Sequence, residues 1–395
     1  MSRIDELIAD HCPDGVKFFS IGDIAVTIAG LSGKTKADFT GGSARFVSYM
    51  NAFANLAVDQ QAPDFVEVRP GERQNCLFEG DVVITGSSES LAEVGMSSVV
   101  TSGPIESLYL NSFCFAIRLN NPEILLPDFS KYLFRGEAIR KQIKGTANGV
   151  TRINISKGRF LKVRIPVPPI EVQREIVQIL DQFTQLEAEL EAELEARRRQ
   201  YEHYRESLLA TDSAKSRRMR LDELFNLRAG NFIAASKIFA TSSDVHSIPC
   251  FGGGGLRGYV TEPNQRGDLV LIGRQGALCG NVKRASGEFY ATEHSVVVTP
   301  LAGVDIRWAF HLLTSMNLNQ YASKSAQPGL AVGTLNRLVV QVPSLDEQLR
   351  IGSILDKFDA LVNDLSVGLP AELEARRKQY EYYRDRLLTF EEAVA

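Results

Sequence analysis

Cations and amides set among glycines are the groups in this 395-residue chain best placed to do chemistry. In the first half, Lys34 and Lys36 sit on the loop Gly33-Lys34-Thr35, Arg45 follows, and Arg152, Lys157 and Arg159 lie just past Gly149. In the second half, Arg257 stands within Gly253-Gly254-Gly255-Leu256-Arg257-Gly258, Arg274 and Gln275 lie between Gly273 and Gly276, and Lys324 precedes Gly329. Glycine removes the side-chain bulk that would keep a backbone away from a ligand. An Arg or Gln carried there can bond a purine edge bidentately, while Lys supplies a point charge for phosphate. The plainer reading of each is a solvated surface charge. Residues 131–164 weigh against that reading for the first half, because they hold ten Lys or Arg and the single acid Glu137.

Other chemistries find less support. The five cysteines (Cys12, Cys76, Cys114, Cys250, Cys279) are scattered and never in C-x-x-C spacing, so neither a disulfide framework nor a zinc site is expected. The five histidines are equally scattered, and no metal is expected. Gly33-Lys34-Thr35 looks like the end of a P-loop, but Ile28 stands where its first glycine is needed. Gly253 to Gly258 matches G-x-G-x-x-G, yet Tyr259, Val260 and Pro263 leave no helix to receive a pyrophosphate. The N-terminus has no apolar core after Arg3, Asp5 and Glu6, and no apolar run approaches the roughly 18 residues of a membrane span, so a cytoplasmic protein without membrane association is expected.

The loops need a scaffold. Residues 4–8 have a helical pattern, Pro13-Asp14-Gly15 a turn pattern, and residues 21–28 a strand pattern. Short strands are expected at 46–49, 65–68, 81–85 and 111–119, one helix at 129–143, and a last strand at 160–167 that stops at Pro168-Pro169. The second half repeats the plan. Leu221-Asp222-Glu223-Leu224 is similar to Ile21-Gly22-Asp23-Ile24, Gly267-Asp268 to Gly80-Asp81, and Pro343 and Gln348 align with Pro168 and Gln173. The two blocks are diverged copies of one mixed α/β domain.

After each block comes the same tail. Residues 171–209 return at 346–388, with Ala-Glu-Leu-Glu-Ala-Arg-Arg identical in both and Gln200-Tyr201-Glu202-His203-Tyr204-Arg205 answering to Gln379-Tyr380-Glu381-Tyr382-Tyr383-Arg384. Ile176, Leu180, Phe183, Leu190, Leu194, Tyr201 and Tyr204 fall on a heptad seam, and about 38 residues at 1.5 Å make a rod of roughly 57 Å. The outer faces are acidic: residues 168–210 hold 5 basic and 10 acidic side chains, against 14 and 9 in 211–342. In the second copy Leu365, Leu369 and Leu373 are spaced by consecutive fours, a stutter at Gly368 and Pro370 that predicts a kink or short break. The two seams can bury against each other. The expected architecture is α+β: domains at 1–167 and 211–342, and helical spacers at 168–210 and 343–395 that form an antiparallel intramolecular coiled coil with the domains at its ends. Such a rod suits a partner with two sites a fixed distance apart, and duplex DNA repeats its grooves about every 34–36 Å.

This plan, with Pro-x-x-Glu-x-Gln before the first rod, Gln-Tyr-Glu-x-Tyr-Arg near the end of both and Gly368-Leu369-Pro370 in the second, resembles the specificity subunit of type I restriction-modification systems. The resemblance covers essentially the whole chain. It implies that each domain, a target-recognition domain, reads one half of an asymmetric bipartite site in double-stranded DNA. It also implies that the helices dock two modification subunits, for which Gln200, Tyr201, Tyr204, Gln379, Tyr380 and Tyr383 are the candidate contacts. S-adenosylmethionine and adenine methyltransferase chemistry would lie on those partners, and ATP, Mg and endonuclease activity on restriction subunits, leaving this chain non-catalytic and without a cofactor. Asn120-Asn121-Pro122-Glu123 departs from an Asn-Pro-Pro-aromatic adenine site at its second and fourth positions, in keeping with that. The rival reading is a coiled-coil adaptor whose domains bind proteins.

Overall fold

The computed structural model describes residues 3–210, 216–324, 328–364 and 366–393. Two compact units emerge: residues 1–189 with 374–395, and residues 190–373. The division runs through the helical segments, so each unit owns one domain and part of both tails.

In unit 1 the central antiparallel sheet has the strand order Ala25–Ala29, Cys114–Leu119, Val82–Thr85, Ser97–Val99. In unit 2 the order is Phe225–Ala229, Ser295–Pro300, Leu269–Gly273, Val282–Ala285, the same by position in each repeat. Ala44–Val47 runs parallel to Leu108–Leu110 as Ile248–Gly252 runs parallel to Glu288–Ala291. First and last strands close each block, Lys17–Ser20 on Arg164–Val167 and Arg217–Arg220 on Val339–Val342. The strand pattern at 21–28 resolves differently from expectation: Ile21–Ile24 is one helical turn, and the strand begins at Ala25. Ile21 and Ile24, three apart, both enter the core on one face of that turn. Leu221–Leu224 repeats the device.

Sheet and helices meet over apolar cores. Phe129, Leu133, Ile139 and Ile143 pack on Ile84, Phe115 and Ile117 in unit 1, with Phe115 and Phe160 edge to face at 5.2 Å. Burying each such side chain contributes about 1.5–3 kcal/mol. The single helix expected at 129–143 is two, Pro127–Leu133 and Glu137–Gly145, because Gly136 takes extended dihedrals as the cap of the second. Two glycines permit the sheet edge to close. A methyl group at Gly30 would stand 2.1 Å from the Asn111 carbonyl oxygen, and one at Gly230 2.3 Å from that of Ala291.

Each domain is bolted to its helix by the same glutamine. Gln173, fully buried, accepts from the Leu126 N–H at 2.8 Å and donates to the carbonyls of Ile124 (2.8 Å) and Pro168 (2.7 Å). Gln348 accepts from the Asp305 N–H at 3.0 Å and donates to Gly303 (3.3 Å) and Pro343 (3.0 Å). A helical aspartate adds a second tie. Tyr132 donates to Asp181 at 2.6 Å, and His311 Nε2 meets Asp356 at 2.9 Å.

Ile170–Leu209 is one uninterrupted helix. The second tail is Leu345–Asn363 and then Leu369–Leu387, so the stutter is a break, although Leu365 itself lies outside the described residues. Gly368 makes the turn at φ +94°, and a methyl group there would stand 2.7 Å from the Ala360 carbonyl oxygen. Pro370 falls in the first turn of the next helix, where no N–H is needed. Within unit 1, Phe183 stacks on Tyr383 at 5.5 Å while Glu187 bonds Arg377 at 2.6 Å. Within unit 2, Tyr201 donates to Asp359 and Tyr204 stacks on Phe358. In both, numbers rise along one helix as they fall along the other, which is the antiparallel seam.

Candidate nucleic-acid interface

Unit 2 brings together residues from separate stretches of sequence. Ile248–Gly252 and Gly255–Val260 pair as a hairpin, which places Gly253 to Gly258 in extended backbone and a tight turn instead of at a helix start. Its glycines form one wall of an open cup of about 560 Å³, and Arg257, Gln275, Leu278 and His294 are among the residues that line the remainder. The wall has to be bare: a methyl at Gly253 would stand 3.0 Å from the carbonyl oxygens of both Gln275 and His294. Gln275 Oε1 lies 2.7 Å from His294 Nδ1, and His294 Nε2 lies 3.3 Å from Glu293 Oε1, so the amide is held by a chain of side chains. Arg274 fixes the backbone, accepting from Leu330 N–H at 2.8 Å and donating its own N–H to the His294 carbonyl at 2.8 Å. Gln275 bridges to Gly329, and Ser323 N–H bonds the Gly329 carbonyl, which brings exposed Lys324 to the same edge. All four unit 2 residues predicted from sequence thus share one region. His294 was not among them; its position three residues past Ala291, beyond the end of the strand Glu288–Ala291 and facing the glycine loop, becomes meaningful only in the fold.

Unit 1 arranges its residues otherwise. Ala147–Asn148 and Ile153–Ile155 form a hairpin that adds to Ser87–Ser88. Arg152, exposed, lies over the Phe113 ring at 5.2 Å and reaches Ser87 Oγ at 3.3 Å. Arg159 bonds the Ala147 carbonyl at 3.0 Å and the Asn148 side chain, and Lys157 is exposed beside it. Lys34, Lys36 and Arg45 come from a different part of this unit. Lys34 is held by the Glu67 carbonyl and by Glu72 at 2.6 Å, leaving its side chain 6% exposed. Lys34, with Gln74 and the Arg69 N–H, brings the Glu72 carboxyl down to about 2. Arg45 is paired with Glu106 at 2.7 Å, and Lys36 is exposed on the turn Lys36–Phe39. Of the three, Lys36 offers the most open charge.

The chain matches the model of the type I restriction modification DNA specificity domain twice, over residues 13–196 and 215–375. It belongs to that family. Over 220 residues it is 53% identical to the specificity subunit of the type I restriction enzyme EcoprrI from Escherichia coli, covering 52% of this chain and 55% of that one. A Haemophilus influenzae protein named as a putative type I restriction enzyme specificity subunit is 33% identical over 275 residues, 61% of this chain and 68% of that one. The chain therefore spans about half the length of the first of these relatives. Its fold is similar to the crystal structure of a type I S subunit from M. genitalium (TM-score 0.57, 16% identity, 95% and 96% covered). It is likewise similar to a chain from a structure of type I complex assembly and conformational transition (TM-score 0.59, 17% identity, 95% and 97% covered).

The six tail residues lie just past the two matched stretches, in the chain's own internal helical repeat. Tyr201 is buried, with its hydroxyl 3.2 Å from His311 Nδ1 and from Asp359, so it serves the seam of unit 2 and does not face outward. Burial raises its pKa. Tyr380 is partly buried against Phe183 and its hydroxyl is pushed up to about 12, chiefly by burial. Tyr204 and Tyr383 keep exposed faces, Gln200 accepts from Arg197 at 2.8 Å, and exposed Gln379 accepts from Arg376 at 3.3 Å. Among the described residues, no group of three or more His, Cys, Asp or Glu side chains could hold a metal ion, and no helix is long and apolar enough to cross a membrane.

Proposed function

We propose that this chain reads DNA for a type I restriction-modification complex, each of its two domains recognising one half of an asymmetric bipartite site in double-stranded DNA. Residues 1–167 and 211–342 are the target-recognition domains, and residues 168–210 and 343–395 are the helical spacers that dock two modification subunits. The chain works in the cytoplasm as a non-catalytic subunit. S-adenosylmethionine and adenine methyl transfer belong to the modification subunits, and ATP, Mg and cleavage to restriction subunits.

The reading rests on one observation above the others: the DNA specificity model matches twice, and each match holds one copy of the same scaffold with different polar loops. In unit 2 the readers are Arg257, Arg274 and Gln275, because Arg suits guanine O6 and N7 and Gln suits adenine N6 and N7. Lys324 serves phosphate. In unit 1 Arg152, Lys157 and Arg159 hold the backbone or a base edge, with Lys36 and, after release from their carboxylates, Lys34 and Arg45.

A gel shift of this chain with its modification subunits tests the reading. It predicts binding to a subset of genomic fragments that survives competitor DNA and weakens steeply with salt. Binding that ignores sequence, or none, would leave the protein-binding adaptor as the better account.

A further inference from the structure

Val150 is 95% exposed at the tip of the unit 1 hairpin. A turn of this kind favours Gly, Asn or Asp, and an apolar β-branched side chain in full contact with water gains nothing for the fold. The tip is nevertheless built firmly. Ala147 pairs with Ile155 and Asn148 with Asn154, and on the other side Ile153 pairs with Ser88. Gly149 turns the chain at φ +109°, where a methyl group would stand 2.2 Å from the Arg152 carbonyl oxygen. Asn154 Nδ2 donates to that same carbonyl at 3.2 Å, and Arg159 braces the Ala147 carbonyl. A lone valine is thus held out on a stiff support.

Its surroundings say what it meets. Arg152, Lys157 and Arg159 are exposed on the flanks. The one acid of residues 131–164, Glu137, lies at the other end of the stretch, with its N–H on Asp385. Val150 and the half-exposed Phe113 ring under Arg152 are together too small to anchor a protein surface, where contiguous patches of a few hundred Å² are the rule. A polyanion with an apolar, stacked interior fits both features. Apolar side chains that enter a groove of DNA separate neighbouring base pairs, and cations on either side hold the phosphates while they do so.

We infer that the hairpin at 147–155 is a wedge: Val150 enters between two base pairs of the first half-site and unstacks that step, with Arg152, Lys157 and Arg159 on the flanking phosphates. The inference rests on the reading that unit 1 binds DNA, and it adds a distortion step to recognition. The cation–π contact of Arg152 with Phe113 and its bond to Ser87 fix the guanidinium beside the tip, so that wedge and clamp move as one piece.

The test is a duplex scan with 2-aminopurine, which brightens when unstacked, placed in turn at each step of the half-site outside the methylated adenines. The full chain with its modification subunits should raise the signal several-fold at one step. Val150→Ser should return that step to the level of free duplex, and Val150→Ile should keep it bright. A wild-type complex that binds its site selectively with no bright step, or a Val150→Ser variant as bright as wild type, overturns the wedge and leaves the DNA-reading function standing. Absence of sequence-selective binding by the wild-type complex overturns both.

Discussion

Units 1 and 2 share a sheet order, a closing strand pair and a buried glutamine, yet they present opposite shapes beyond their strands. Unit 2 recesses its polar groups in a glycine-walled cup with Gln275 tied to His294. Unit 1 projects a basic hairpin with an apolar tip and ties Lys34 and Arg45 to carboxylates. On the proposed reading, the difference is where specificity lies. What the two copies keep is whatever fixes the sheet to the helix, and what they vary lies on the loops, where side chains change without cost to the core.

The largest effects should fall on what the copies share. Replacing Gln173 or Gln348 with Leu strands an N–H and two carbonyls, at about 3–5 kcal/mol for either unit. Chemical denaturation should show losses of similar size; a silent Gln348→Leu would mean the glutamine matters in one copy only. Next comes a planned inequality. Asp81 is fully buried and holds Arg118 at 2.6 Å, whereas Asp268, its counterpart at the strand start, is exposed. Asp81→Asn should cost about 3 kcal/mol and Asp268→Asn under about 0.5. Equal costs would undo the comparison. On binding, Arg274→Ala or Arg257→Ala should weaken the cognate site by about 1–3 kcal/mol, while Lys36→Ala weakens all sequences alike. An unchanged footprint on the cognate half-site would remove the altered residue from the readers.

The smallest effect is a pH response confined to unit 2. Burial lowers the His311 pKa, with the hydrogen bond and charge of Asp356 opposing; Asp359 raises it and Arg284 lowers it. A histidine with a folded pKa below its unfolded value of about 6.5 stabilises the fold above that pH and withdraws the support as pH falls toward the folded value. Unit 1 has Tyr132 at this place, which does not titrate there. Thermal melts from pH 7.5 to 5.5 should therefore show unit 2 losing stability first. His311→Asn should flatten the dependence, and an unchanged slope would exclude His311 as its source.

Much of the scaffold was legible in the sequence because repetition doubles a weak signal. Pro168 with Pro343 and Gln173 with Gln348 marked equivalent points, and Gly368 with Pro370 marked the break. Short elements were not legible: one helical turn at Ile21–Ile24 has the same apolar spacing as a strand start, and Gly136 splits a helix whose apolar face runs through both halves. At the site, the glycine-flanked residues of unit 2 were legible as types. Their meeting was not, because Arg257, Gln275, His294 and Gly329 converge only through strand pairing. Lys34 shows the opposite limit: its loop suggested an open charge, and the Glu72 carboxylate and the Glu67 carbonyl, far along the chain, close on it.

The central claim is that two copies of one scaffold read two halves of a site independently. Mapping methylated adenines in host DNA, with the wild-type chain and with Gln275→Ala, tests it most directly. The account predicts a bipartite motif in which the substitution relaxes one half and leaves the other half and the spacing untouched. Changes in both halves, or a motif that ignores Gln275 and every other cup residue, would contradict it.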